Sequence, residues 1–203
     1  MRTRMGSSKP VSQDADRLAG FSLIEVSVVI LISLIIGMIT IPNMVTVISN
    51  ARLHAGVTSM SSLLQSCRMA AVKQNRALTA HFTIDGSTLI GYVKEAPDTS
   101  DVADTDLQAQ WESPVRMETT PTGADAPAVI DTDVLGFTPQ DGEPTFNTRG
   151  LPCFYDGVAC ENKGFVYYFK DTSRSNGKGW ASLSISPAGR IKKWFWNGAE
   201  WKD

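Results

Sequence analysis

Histidine and cysteine, the residues most often used in catalytic and metal sites, are scarce in this chain. The 203 residues include two histidines, His54 and His81, and three cysteines. Neither histidine has a candidate nucleophile near it in the sequence, and the HExxH, GxSxG, phosphate-loop and CxxC motifs are absent. The sequence therefore predicts a protein that is not an enzyme, with no catalytic residues, no cofactor and no metal site.

Two clusters of charged residues are the remaining candidates for chemistry. One is acidic and offers the oxygen ligands that calcium prefers, but its spacing departs from that of a helix–loop–helix calcium site. Its members are Asp98, Asp101, Asp104 and Asp106. We expect a solvated loop there, with calcium binding left open as the alternative. The other cluster is basic and comprises Arg190, Lys192 and Lys193.

The basic cluster lies in the positively charged part of a chain whose overall charge is only −2. Residues 50–161 contain seven basic and fifteen acidic residues, whereas residues 162–203 contain eight basic and three acidic residues, a net charge of +5. Tryptophans are interleaved with these cations, and cations beside aromatic rings suit a polyanion, because the cations neutralise phosphates and the rings stack on bases. DNA is therefore a candidate partner. The alternative is that alternate residues of 191–196 are core, with Lys192 and Lys193 solvated.

An apolar stretch, 21–41, has the length of a membrane-spanning helix. Its one charged residue is Glu25. A rise of about 1.5 Å per residue gives it a length of roughly 30 Å, the thickness of a hydrocarbon core. Positive charge before the stretch predicts that the N-terminus stays cytoplasmic. A plain membrane anchor is one alternative, and a cleaved secretory signal is another, although no small-residue cleavage site follows the apolar run.

The stretch begins with a short motif, Gly20-Phe21-Ser22-Leu23-Ile24-Glu25. This motif resembles the processing site of type IV prepilins and pseudopilins. The resemblance implies that residues 1–20 are a leader, that the prepilin peptidase cleaves between Gly20 and Phe21, and that Phe21 becomes N-methylated. It also implies that 21–41 is kept as a transmembrane and filament-core helix. The protein would then be a single-pass protein of the bacterial inner membrane with a periplasmic C-terminal domain.

Two residues of this helix have specific roles in the family. The resemblance implies that Glu25 forms an assembly salt bridge with the free ammonium of Phe21 on a neighbouring subunit. A carboxylate costs about 2.5–3.5 kcal/mol at the centre of a membrane helix, so that such a residue normally has a partner. Pro42 lies where pilins often have a proline, and it predicts a helix kink because it lacks an N–H and clashes with the preceding turn.

The pattern after Pro42 predicts that the helix continues over 42–76 and then gives way to strands. A stripe of apolar residues recurs at spacings of three, four and seven, which is typical of a helix. The stripe comprises Val45, Ile48, Leu53, Val57, Met60, Leu63, Leu64, Cys67, Ala71 and Val72. From Leu78, alternation predicts a hairpin that turns at Asp85-Gly86-Ser87. Further strands are predicted at 115–118, 129–132, 145–147, 164–169, 181–186 and 191–196.

The expected fold class is α+β, with a long N-terminal α-helix packed against a small antiparallel β-sheet domain, 77–203, as in the type IV pilin fold. Two segments, TFNTRGLPC and SLSISPAGRIKKW, are similar to pieces of the GspH/FimT group of minor pseudopilins and minor pilins. Cys153 and Cys160 have six residues between them, and the oxidising space outside the cytoplasm permits a disulfide there. A redox or metal pair is the alternative, and Cys67 is expected to be a buried free thiol.

The resemblance implies a minor pseudopilin, which is a structural subunit of a type II secretion system pseudopilus. Such a subunit assembles through its N-terminal helix and is involved in protein secretion, and its partners are other pseudopilins, the prepilin peptidase and the inner membrane. One alternative is a minor pilin of a type IV pilus that binds DNA in natural transformation. Another is a membrane-anchored binding module outside any filament.

Overall fold

The structure is a computed structural model that describes residues 21–86, 88–112, 115–174 and 177–203. For residues 39–43 and 112 it describes the backbone alone. The predicted leader, 1–20, and with it Gly20, lies outside the described residues. The chain divides into two compact units between residues 43 and 44.

One long helix, α1, covers Leu23–Gln74. Position 42 lies within α1, and because the side chain of Pro42 lies outside the description, the kink stays a prediction. Asn75 adopts a left-handed conformation with φ 53°, and the N–H of Arg76 donates to the carbonyl of Ala71, which together end the helix. Among the described side chains, no helical stretch is long and apolar enough to cross a membrane.

The second unit contains two β-sheets. In the first sheet the strand order is β3-β2-β1-β6-β7-β8. These strands are β1 (Leu78–Asp85), β2 (Thr88–Glu95), β3 (Gln108–Glu112), β6 (Thr145–Phe146), β7 (Pro152–Tyr155) and β8 (Cys160–Asn162). In the second sheet the order is β12-β11-β10-β9-β4, and β5 pairs in parallel with β9. Its strands are β4 (Val115–Glu118), β5 (Pro139–Gln140), β9 (Gly164–Asp171), β10 (Trp180–Ile185), β11 (Ile191–Trp196) and β12 (Trp201–Lys202).

The main hydrophobic core joins α1 to both sheets. The helix contributes a buried stripe at alternating spacings of four and three, as predicted: Leu53, Val57, Met60, Leu64, Cys67 and Ala71. The first sheet contributes Leu78 and Ala80, and the second contributes Phe165, Leu183 and Ile185 among others. Three positions of the predicted stripe, Val45, Ile48 and Val72, are exposed instead.

A second, smaller core lies on the opposite face of the second sheet. It comprises Ile130, Tyr168, Trp180 and Trp194. Successive residues of a strand point to opposite faces, so Tyr168 and Trp194 belong to this core while their neighbours Phe169 and Phe195 pack on the main core. The second sheet is thus covered on both faces.

A buried aspartate ties the helix to the second sheet. Asp171, at the end of β9, is fully buried and accepts hydrogen bonds from the Ser49 hydroxyl of α1 and from the backbone N–H and hydroxyl of Ser173. Nearby, the Arg174 guanidinium donates to the side-chain oxygen of Asn50 over 2.6 Å. Because a buried carboxylate without partners is costly, these bonds hold the β9–β10 turn against α1.

The α+β class, with its long N-terminal helix and antiparallel sheets, is confirmed, and so is the hairpin of β1 and β2. The strand predicted at 129–132 is wrong. A short helix, α2 (Thr132–Leu135), begins there, because the Asp131 carboxylate caps it by accepting from the N–H of Asp133 and Gly136 ends it with φ 73°. The single small sheet that was expected is instead two sheets, and β5 is a parallel exception.

Candidate functional site

The three residues of the predicted basic cluster do not share one face. Lys192 and Lys193 are consecutive on β11, where Lys192 pairs with Ser184 and Lys193 with Leu183 of β10. Alternation places Lys192 on the face of Trp194 and the second core, and Lys193 on the face of Phe195 and the main core.

Lys192 is held in place by its own neighbours. Its ammonium lies 2.6 Å from a carboxylate oxygen of Asp203 and 4.5 Å from the centre of the Trp194 ring. The hydrogen bond from Lys192 lowers the pKa of the Asp203 carboxyl below its usual value. The Asp203 carboxylate therefore offsets part of the positive charge that Lys192 contributes to this surface.

The tryptophan beside the basic cluster is not available for stacking on a base. Trp194 is 6% exposed, and its indole N–H donates to the Ser184 hydroxyl over 2.9 Å. Trp201 donates to the carbonyl of Ala128 over 2.7 Å and packs edge-on against Trp196. Trp194 is part of the second core, and Trp196 and Trp201 pack against it. This packing explains why aromatic residues recur near the C-terminus.

Arg190, in contrast, lines a groove between α1 and the β10–β11 turn. The groove has a volume of about 560 Å³. We call it the basic groove; its lining residues are Gln65, Arg68, Met69, Val72, Lys73, Gly189, Arg190 and Ile191. It includes three cations and no carboxylate.

Arg68 joins the helix to the β10–β11 turn at the groove. Its guanidinium donates to the carbonyl of Gly189 over 2.9 Å. Gly189 has φ 80°, a left-handed conformation that favours glycine. A Cβ at this position would also lie only 3.1 Å from the guanidinium carbon of Arg68, so a larger residue would crowd the arginine. The turn is closed by hydrogen bonds between Ser186 and Arg190, which present the Arg190 side chain to solvent.

A second turn flanks the same groove. Asn147 organises the β6–β7 turn, since its side-chain oxygen accepts from the backbone N–H groups of Arg149 and Leu151. A Cβ on Gly150 would lie 2.9 Å from Val72 and 3.1 Å from Arg68, which shows how closely this turn approaches α1. The two turns come from TFNTRGLPC and SLSISPAGRIKKW, the two segments with the GspH/FimT resemblance.

The basic groove combines unpaired positive charge with exposed apolar surface. Arg68, Lys73 and Arg190 form no ion pair within the described part of the chain. Met69 is 64% and Val72 51% exposed, which is high for apolar residues on a helix that buries seven others. Such a surface is suited to a ligand with both anionic and apolar groups.

Sequence reasoning missed Arg68 and Lys73. The Arg68-Met69 and Val72-Lys73 pairs recur four residues apart and so lie on one side of a helix, which was the available signal. The apolar spacing instead predicts Val72 as part of the buried stripe, because an apolar residue at helical spacing is usually core.

A second polar cluster surrounds His81. The Nδ1 atom of His81 lies 2.6 Å from one carboxylate oxygen of Glu143, whose other oxygen accepts from the backbone N–H of Phe82. His81 is 6% exposed, and its Nε2 has no hydrogen-bond partner among the described residues. The hydrogen bond to Glu143 raises the pKa of His81 despite the opposing effect of burial, and the backbone and carboxylate of Asp98 add to the rise.

Both histidines pack against aromatic rings. His54 stacks on Phe195 with ring centres 3.8 Å apart, and His81 stacks on Tyr92 at 5.3 Å. In the described ranges no three histidine, cysteine, aspartate or glutamate side chains come together as metal ligands, the acidic cluster of the β2–β3 loop included. Within that cluster Asp106 pairs with Lys94 at 3.0 Å. That the chain is not an enzyme stays a prediction.

The remaining predicted site residues are the cysteines and the residues at the start of α1. The structure contains the disulfide between Cys153 and Cys160, with their Cα atoms 5.3 Å apart. Cys67 is a free, buried thiol. Glu25 lies in the first turn of α1, and Phe21, two residues before the helix begins, is 80% exposed. Cleavage at Gly20, methylation of Phe21 and the Glu25 salt bridge stay predictions.

Comparison with solved structures finds a similarity to the minor pseudopilin EpsH from the Type 2 Secretion System of Vibrio cholerae. The two chains are 9% identical, with a TM-score of 0.43, and the match covers 73% of this chain and 99% of EpsH. No protein-family model and no curated protein sequence matches the chain.

Proposed function

We propose that this chain is a minor pseudopilin, a structural subunit of a type II secretion pseudopilus that is involved in protein secretion. One observation carries the proposal: the motif from Gly20 to Glu25 overlaps the start of a long helix whose first part is apolar, and a β-rich domain follows that helix in the chain. The proposal includes removal of residues 1–20 by the prepilin peptidase, methylation of Phe21, insertion of 21–41 in the inner membrane and a periplasmic domain.

Glu25 has a definite role in this proposal. Cleavage after Gly20 creates an ammonium at Phe21, two residues before the start of α1. A carboxylate four positions further on, in an apolar helix, is costly unless a cation neutralises it. The Phe21 ammonium of a neighbouring subunit supplies that cation, so Glu25 sets the axial register in which pseudopilins assemble.

Processing is the first test. In cells that contain the peptidase, mass spectrometry of the membrane-extracted protein should show a chain that begins at Phe21 with one added methyl group. Gly20→Leu should block cleavage, because a bulky side chain prevents close approach of the peptidase to the backbone, and the control Gly6→Leu should be cleaved normally. A mature N-terminus at Met1 in the unaltered chain would contradict the proposal.

Assembly is the second test. Glu25→Gln should leave membrane insertion intact, because it removes a charge from an apolar helix. Incorporation into filaments with the other pseudopilins should fall sharply, while the neighbouring control Ser27→Ala should assemble. Undiminished co-purification of the Glu25→Gln protein with its partners would show that this carboxylate has no assembly role.

A minor pilin of a type IV pilus that binds DNA in natural transformation is the second candidate. The observation that favours it is the basic groove, whose cations Arg68, Lys73 and Arg190 form no ion pair with the described residues. Deletion of the gene should then abolish DNA uptake and leave exoprotein release intact, whereas a pseudopilin predicts the reverse. Binding to DNA would also weaken as the salt concentration rises, because phosphate contacts release counterions.

A further inference from the structure

The chemistry of the basic groove is complementary to a ligand that has both carboxylates and apolar side chains. Its cations surround Met69 and Val72, the exposed apolar residues described above. A nucleic acid would offer phosphates to Arg68, Lys73 and Arg190 but would leave these two side chains without an apolar partner. Among the described residues, no aromatic side chain lines the groove to stack on a base. An acidic peptide segment with an exposed apolar side chain fits better.

This chain has such a segment on its own surface. We call residues 129–134 the acidic segment. Val129 is 51% and Val134 64% exposed, and Asp131 and Asp133 are exposed between them. Neither aspartate forms an ion pair within the part of the chain that the structure describes. The segment therefore has negative charge to match the cations of the groove and exposed apolar side chains to match Met69 and Val72.

The acidic segment is held in a defined conformation. Ile130 is buried in the second core, and its backbone N–H donates to the Tyr168 hydroxyl over 3.0 Å. Asp131 caps α2, and the N–H of Gly136 donates to the carbonyl of Thr132 over 2.8 Å. A segment that is already ordered loses little conformational entropy on binding.

The groove and the acidic segment belong to opposite faces of the second sheet. The groove is formed with α1, which packs on the face of Leu183 and Ile185, whereas Ile130 packs on the face of Tyr168 and Trp180. A contact between them therefore joins two copies of the chain. Such a contact is heterologous, because the two copies contribute different surfaces to it.

We propose that the basic groove of one copy binds the acidic segment of a second copy, as an adjacent subunit in the assembly. Val134 would pack on Met69 and Val72, while Asp131 and Asp133 would face the cations of the groove. This inference rests on the proposed function and adds to it a specific subunit contact in the second unit of the chain.

Cysteine cross-linking of the full-length protein in detergent tests the contact. Met69→Cys in one preparation and Val134→Cys in another should form a mixed disulfide on oxidation. Ile84→Cys, 69% exposed on β1, replaces Val134→Cys in the control pair and should cross-link far less. Lys73→Glu with Arg190→Glu in the Met69→Cys copy should lower the yield about tenfold. Asp133→Lys in the partner copy should restore it, and this change leaves the Asp131 cap intact.

Three outcomes would overturn the inference. The first is a cross-linking yield equal to that of the control pair, and the second is a yield that the charge reversals do not change. The third is that no cross-link forms and that single-stranded DNA, when added, protects the Met69→Cys thiol from an alkylating reagent. The N-terminus of the same samples is sequenced in parallel. A chain that begins at Phe21 and does not cross-link contradicts this inference alone, whereas a chain that begins at Met1 contradicts the proposed function.

Discussion

At the scale of single residues, the three cysteines occupy two different chemical environments. Cys67 lies in the main core, where burial raises its pKa to about 12, and its thiol donates a weak hydrogen bond to the carbonyl of Leu78. Since the thiolate is the reactive form, Cys67 should be inert while the protein is folded. Cys153 and Cys160 are joined to each other and link β7 to β8.

Thiol counting tests this arrangement. The folded protein should react with no equivalent of maleimide at neutral pH, and the denatured, unreduced protein with one, at Cys67. Reduction after denaturation should expose all three thiols. Reaction of the folded protein at Cys67 would show that the main core is open at this position. A Cys67→Ser variant identifies the residue, because its denatured, unreduced form should not react.

At the scale of elements, β2 approaches α1 closely at a glycine. A Cβ on Gly91 would lie 2.5 Å from a methyl group of Leu63 and 3.3 Å from Phe82 and Trp111. Leu63 is itself buried, so its side chain has little freedom to move away. The close contact of hairpin and helix therefore requires a residue without a side chain at this position.

Gly91→Ala should destabilise the protein by about 1–3 kcal/mol, the usual cost of overpacking a core. The measurement is the free energy of unfolding from denaturant titration. Leu63→Val in the same chain shortens the side chain that clashes, so the double variant should lose less stability than the sum of the two single variants. Additive losses would mean that Gly91 and Leu63 do not compete for space.

At the scale of the whole molecule, His81 links segments that are distant in sequence. It lies on β1, bonds to Glu143 before β6, and is also influenced by Asp98 in the β2–β3 loop. The titratable groups around it are Glu143, Asp98 and Tyr92. Because the pKa of His81 is raised on folding, its protonation contributes stability to the folded state.

The pH dependence of unfolding follows from the sign of that shift. The contribution of His81 should be fully present below pH 6.5, the ordinary pKa of histidine, and should be lost as the pH rises through the raised value in the folded state. His81→Gln should flatten this part of the curve of unfolding free energy against pH. A curve that keeps its slope in His81→Gln would assign the effect to another group.

Much of the fold could be predicted from the sequence, because it depends on local periodicity. The burial of the helix stripe from Leu53 to Ala71 follows from spacings of three and four, and the β1–β2 hairpin follows from alternation around Asp85-Gly86. The short strands β3, β5, β7, β8 and β12 were not predicted, because segments of two to five residues are too short to show a period. At 129–132 the cap at Asp131 outweighed a weak strand pattern.

The candidate site was decided by the tertiary structure. The sequence alone identified Arg190, the Cys153–Cys160 pair and the motif at Gly20–Phe21, since each depends on residues close together in the chain. It did not predict that Arg68 and Lys73 face Arg190, because the Arg68–Gly189 contact joins residues 121 positions apart. Nor did it separate Lys192 from Lys193, whose different surroundings arise because the second sheet packs on a core at each face. Local patterns determine to which face of a helix or strand a side chain points, whereas long-range packing determines which residues that side chain contacts.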